Sequence, residues 1–177
     1  MTNPRASKPQ PPSVTTDAVN LVLPLIKATL EPAAKRAKRP IDSPAGRIVS
    51  QVARRDMDTG GADGTVNLIA GLTSTLSFMA PALAQALGHA PETAGAKLAE
   101  ALRQQDGNPY MVRVLETVQT TGAAEAVAEA MAGKNGEVYD LILNLADCIA
   151  THAEAYAHVT STPLDEVWAE IEAGLHD

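Results

Sequence analysis

Apolar side chains in this sequence recur at steps of three and four, the spacing that lines one face of a helix. The clearest case is residues 64–91, GTVNLIAGLTSTLSFMAPALAQALGHAP, which hold no Lys, Arg, Asp or Glu in a chain that is 20% charged. Within them Ile69, Leu72, Leu76, Met79, Leu83 and Leu87 form one stripe, and Val66, Leu68 and Phe78 lie off it. A long helix over about 65–87, covered on more than one side, is therefore expected. Pro81 lacks an N–H and opposes the Ser77 carbonyl, which predicts a bend there. The stretch is long enough to span a bilayer. Its polar residues Asn67, Thr73, Ser74, Thr75, Ser77 and Gln85, Gly71 and the stripe itself favour a core helix instead, and no integral membrane span is expected.

A second long helix is predicted over about 137–160, with Val138, Leu141, Leu145, Cys148, His152 and Val159 along its seam. Shorter elements surround the two. Val19, Val22, Ile26 and Leu30 have helical spacing after a cap at Thr16 or Asp17, with Pro24 dividing the element into two short pieces. Ser43 and Pro44 open a helix with Ile48, Val49 and Val52 inward. The glycines and aspartates of DMDTGGADG mark a loop, read as a flexible linker. Pro91 opens a helix holding Leu98 and Leu102. Asp106-Gly107-Asn108-Pro109 makes a turn, and Asn108 caps a helix carrying Met111, Val114, Leu115 and Val118. YMVRVLETV could be a strand, but it has no second strand to pair with. Gly122 begins an Ala-Glu helix ending at Gly133. Thr162-Pro163-Leu164-Asp165 caps a last helix with Val167, Trp168, Ile171 and Leu175 inward. A shift of 72 residues lays Gly64 on Gly136, Val66 on Val138 and Pro91 on Pro163, a hint that a long helix followed by a proline-capped short one occurs twice.

The 177 residues allow one domain, with a second only if it is small. Thirty-two alanines against one Phe, one Trp and three Tyr argue for closely packed helices rather than a β-sandwich. The expected fold is an all-α, compact multi-helix bundle. One cysteine and no apolar leader at the N-terminus suggest the reducing cytoplasm.

Charge changes the picture more than composition does. Residues 1–55 carry ten basic and three acidic groups, and residues 56–177 carry four basic and eighteen acidic ones, within a net charge of -7. The organisation expected is a proline-rich disordered tail over 1–16, a basic helical segment over 17–56 and an acidic helical body over 62–177.

Lys35, Arg36, Lys38, Arg39, Arg47, Arg54 and Arg55 are the candidate binding residues, since clustered cations neutralise phosphates or an acidic partner. They could equally rest on the acidic body or on an anionic membrane surface. Residues 1–55 have no aromatic side chain to stack on bases. LAEALRQQDGNPYMVRVLETV has the outline of a helix-turn-helix, but the link is long and the second helix has only Arg113. Cys148 and His152, four apart on one helical face, could form a thiol or metal site. His89, His158 and His176 would have to supply further ligands, and no E-x-x-H, H-E-x-x-H or C-x-x-C pattern occurs. The glycine-rich 60–64 segment lacks the Lys-Ser/Thr of a phosphate-binding loop.

These features point to a non-enzymatic helical interaction or assembly module without a cofactor, self-associating as a homo-oligomer with a dimer favoured. The alternative is a nucleic-acid-associated regulator using residues 1–55. A thiol or metal site at Cys148/His152 comes third.

Overall fold

A computed structural model describes residues 20–105, 108–120, 123–132 and 135–176, without the side chains of 118–120, 123, 124, 126, 129, 135 and 136. The tail over 1–16, the cap at Thr16 or Asp17, Val19, the Asp106–Gly107 turn, the Val118 side chain, Gly122 and Gly133 lie outside the described residues. The fold is all-α with no strand among the described residues, as the hydrophobic spacing predicts. YMVRVLETV is helical. In chain order the helices are α1 (Val22–Leu30), α2 (Pro32–Arg36), α3 (Pro44–Thr59), α4 (Asp63–Ala86), α5 (Ala94–Gln104), α6 (Pro109–Thr120), α7 (Ala123–Met131), α8 (Asn135–Thr160) and α9 (Leu164–His176). One-turn 3-10 segments, Pro40–Asp42 and Pro91–Thr93, precede α3 and α5.

The two long helices, α4 and α8, share the most extensive contact in the molecule. Leu68, Ile69, Leu72 and Leu76 of α4 and Leu141, Ile142, Leu145 and Ile149 of α8 are all sealed from solvent. Leu68 lies off the predicted stripe, so α4 is indeed covered on more than one side. Two of its polar side chains are also buried, and each bonds within the helix: Thr73 Oγ1 to the Ile69 carbonyl and Thr75 Oγ1 to the Gly71 carbonyl, both at 2.8 Å. α4 has the length and composition to cross a bilayer, and 56% of its most apolar window is buried by the rest of the chain. It continues through Pro81 and ends at Ala86, which leaves Leu87 half exposed beyond it.

The α8 seam differs from expectation in its second half. Cys148 and His152 are only partly buried, and Val159 is exposed. The inward face runs instead through Ile142, Ala146, Ile149, Ala150 and Ala153. Steps of three and four from Leu145 reach either Cys148 or Ile149, and only the second path keeps the alanines inside. Alanine carries little hydrophobic signal, yet its small side chain lets neighbouring helices approach closely.

Around this pair, α1 packs on α8, and α3 on α1, α4 and α8. Val22, Leu25, Ile26, Val49 and Val52 belong to the same core as the long helices. The basic part of the chain is thus built into the body through its apolar faces. Pro24 does not divide α1, because it sits in the first turn, where backbone N–H groups have no helical acceptor. α5, α6 and α7 pack in succession with α7 against α4, while α9 contacts α8, α4 and α1. Val167, Trp168 and Ile171 of α9 are buried as predicted. Ser43 Oγ caps α3 by accepting from the Gly46 N–H at 2.9 Å, and Asn108 Oδ1 caps α6 by accepting from the Tyr110 N–H at 2.9 Å. At α9 the Pro163 carbonyl takes the first bonds, and the Thr162 hydroxyl accepts from Thr160.

The segment expected to be a flexible linker is a tied corner. α3 extends to Thr59 and closes on Gly60 in the left-handed region, φ 70°, and the Gly61 N–H bonds to the Asp56 carbonyl at 3.0 Å. The buried Asp56 side chain then accepts from the Gly64 N–H at 2.9 Å, the Thr65 N–H at 2.8 Å and the Thr65 hydroxyl at 2.6 Å. One carboxylate from the end of α3 therefore caps the start of α4, where the helix dipole favours negative charge. A Cβ at residue 64 would lie 2.8 Å from Asp56 Oδ1 and 2.8 Å from Val52 Cγ1, so the corner needs glycine there.

Two substitutions test this packing in urea unfolding. Leu76→Ala should cost about 2–5 kcal/mol, the range for a sealed leucine whose site cannot collapse. Asp56→Ala should cost about 1–3 kcal/mol through the donors it strands at the corner. A loss within about 0.5 kcal/mol, typical of surface positions, would contradict either assignment.

Candidate functional site

The α3 sequence separates into two faces. Val49, Val52 and Asp56 are buried, whereas Arg47, Gln51, Arg54, Arg55 and Asp58 are exposed on the other side. Arg39 and Ile41, from the link between α2 and α3, stand beside that exposed side. Arg39, Arg47, Arg54 and Arg55 thereby line one open groove of about 780 Å³, together with Ile41, Asp42, Gln51 and Asp58. Ile41 is 48% exposed, an apolar patch among charges.

Four of the seven predicted binding residues therefore converge. Lys35, Arg36 and Lys38 are exposed but do not line the groove. Lys35 and Arg36 end the short α2, and Arg36 Nε donates to the Pro32 carbonyl at 3.2 Å. Arg39 forks onto Asp42, with Nε 2.9 Å from Oδ2 and Nη2 3.2 Å from Oδ1. That hydrogen-bonded pairing holds the Asp42 carboxyl below its ordinary pKa and the Arg39 guanidinium above its own. Sequence reasoning missed Ile41, Asp42, Gln51 and Asp58. Asp58 falls in the stretch read as a loop, and Ile41 and Asp42 gain their places because the 3-10 turn folds beside α3.

Cys148 and His152 do meet, with Sγ 3.7 Å from Nδ1, and the same Nδ1 lies 2.8 Å from the Cys148 carbonyl oxygen. Their environment opposes nucleophilic chemistry. Burial, aided by the Asp147 charge, pushes the Cys148 thiol up to about 12, and burial pushes the His152 imidazole down. An activated thiol needs the reverse, a pKa lowered by a nearby positive charge. Among the described residues no group of three or more His, Cys, Asp and Glu side chains could hold a metal, and His89, His158 and His176 are exposed.

The α5–α6 pair does not present a free second helix. Met111, Val112, Val114 and Leu115 of α6 are buried, and Arg113 lies over the Tyr110 ring at 5.8 Å. Arg103 of α5 pairs with Glu100 and with Glu116 of α6, which ties the two helices to each other.

Two further concavities come from helices far apart in sequence, which leaves no local signal for them. One of about 300 Å³ lies between the α3–α4 corner, α7 and α8, with Met57, Met131, Val138 and Ile142 on its walls. Its polar groups are engaged elsewhere: Tyr139 Oη donates to the Gly46 carbonyl at 3.1 Å, and Asp56 caps α4. The other, about 640 Å³, is bounded by α1, the start of α3 and the end of α9, and includes Leu23, Ile48, Glu172 and Leu175. Comparison with protein-family models, curated proteins and solved structures finds no match for this chain.

The partly buried pair sets two pH limits. The thiol value rises on folding from 9.0 to about 12, so stability holds below pH 9 and falls as pH climbs toward 12. The imidazole value falls on folding from 6.5, so stability holds above pH 6.5 and declines as pH drops below it. Unfolding midpoints should show Cys148→Ala flattening the alkaline limb and His152→Gln the acid limb. At pH 8 a disulfide reagent should label folded Cys148 on the order of a hundredfold or more slowly than the unfolded chain. Equal rates would contradict the upward shift of the thiol.

Proposed function

We propose that this chain is a non-enzymatic helical interaction module that self-associates, as a dimer, and recognises an acidic surface through the α3 groove. The observation that carries this is the convergence of Arg39, Arg47, Arg54 and Arg55 on one open groove of an otherwise acidic chain. Rows of one charge on a rigid helix steer a complementary partner and reject like-charged ones. The net acidic charge also disfavours random clumping, so contact between copies would use a defined patch and close with symmetry. Ile41 adds the apolar surface that charges alone lack. The single cysteine suits the cytoplasm, the compartment we assign.

A second reading, binding of nucleic acid through the basic segment, draws on the same arginines with Lys35, Arg36 and Lys38 beside them. Asp42 and Asp58 stand inside the groove and would repel phosphates, and among the described residues no aromatic side chain lines it.

Light scattering across a concentration series should show mass rising from monomer to dimer, and a strict monomer at high concentration would refute self-association. Binding to duplex and single-stranded oligonucleotides at low salt tests the second reading. If it holds, affinity falls steeply with salt, and changing Lys35, Arg36, Lys38 and Arg39 to Gln flattens that slope. No binding at low salt eliminates it.

A further inference from the structure

We infer that the α3 groove is the docking site for the acidic outer face of α9 from a second copy of this chain. The inference rests on the self-association proposed above and names its contact surface. On α9, Val167, Trp168 and Ile171 are buried and fix the helix to the body. Its other side exposes Asp165, Glu166, Glu170 and Glu172, with the small residues Ala169 and Ala173 between them. The groove helix α3 is anchored in the same way by Val49 and Val52. Both partners are therefore preorganised rods, and little backbone freedom is lost when they meet.

The charges match in spacing as well as sign. Arg47 and Arg54 are seven residues apart on α3, and Asp165 and Glu172 are seven apart on α9. Each pair spans about 10.5 Å at 1.5 Å per residue and lies on one face. Laid side by side in the same direction, Arg47 faces Asp165 and Arg54 faces Glu172. Gln51 then faces Ala169, whose small side chain lets the rods approach, and Asp58 faces His176. The opposite direction keeps both arginine pairs but sets Asp58 against Ser161. The parallel register thus also gives the acid within the groove a partner. Ile41, half exposed beside the arginines, supplies apolar contact.

On one molecule the end of α9 lies near the start of α3, where Glu172 and His176 share a single cleft with Pro44 and Ile48. In the proposed dimer two copies exchange both contacts about a twofold axis, which closes the assembly and leaves neither surface open for further growth. Asp42 is already held by Arg39, but a phosphate backbone would meet Asp58 with no cation to answer it, whereas α9 sets His176 opposite.

The test uses the full chain in sedimentation equilibrium. Arg47→Glu/Arg54→Glu and Asp165→Lys/Glu172→Lys should each weaken dimerisation by about tenfold or more. Raising salt from about 0.1 to 1 M shortens the screening length from about 10 to 3 Å and should weaken the wild-type dimer as well. An equimolar mixture of the two variants should recover wild-type affinity, because the reversed α3 meets the reversed α9 while the native pair meets natively. Thermal midpoints confirm that the exposed substitutions leave the fold intact, and Arg47→Gln/Arg54→Gln replaces any variant that fails this check. A wild-type dimer indifferent to both reversals, or weakened without rescue in the mixture, overturns this interface while self-association stands. A monomeric wild type overturns both. Loss of oligonucleotide binding on the arginine reversal, with dimerisation unchanged, gives the groove to nucleic acid and overturns the inference.

Discussion

The contact between α4 and α8 determines where everything else can lie. Each helix has more apolar width than one partner can cover, so sealing both requires a shell of shorter helices on every side. α1, α3 and α9 pack on the pair and on one another in part, and α5 to α7 pack on it in succession. Burying Leu76 or Ile149 in the middle of this arrangement stabilises the fold by about 1.5–3 kcal/mol per side chain. Aromatic residues contribute little bulk here, so the core depends on branched aliphatics set against alanine.

That shell explains how a strongly basic segment joins an acidic protein without a separate domain. α1 and α3 are amphipathic, so their apolar faces enter the common core and their charges remain outside. Arg39 closes on Asp42, and Lys27 lies over the Trp168 ring at 5.8 Å. The groove arginines remain exposed on a surface held from beneath. Charge segregation in the sequence thus becomes charge segregation in space, a property of association rather than of folding.

Much of the helical layout was legible because three- and four-residue spacing and capping chemistry are local. Ser43 and Asn108 cap where their sequence context says they should, and Ile69, Leu72, Leu76 and Met79 face inward as their stripe predicts. The failures share a different origin. The α8 seam leaves its expected path past Leu145 because alanine is nearly silent in a hydrophobic pattern while Cys148 is not. The α3–α4 corner differs from the expected linker because glycine and aspartate occur alike in a loose linker and in a tied turn, and only Asp56 reaching Gly64 and Thr65 separates the two. The seven basic candidates lie close in sequence but not all together in space: Arg39, Arg47, Arg54 and Arg55 line one groove, and Lys35, Arg36 and Lys38 stand exposed outside it.

The Asp56 corner carries a consequence for descent. The carboxylate needs the bare backbone of Gly64, and Gly64 has no room for a side chain while Val52 and Asp56 stand where they do. Neither residue can drift alone without stranding the other. Chains sharing this architecture would keep an acid at the end of the third helix and a Gly-Thr pair eight residues later, or lose all three together.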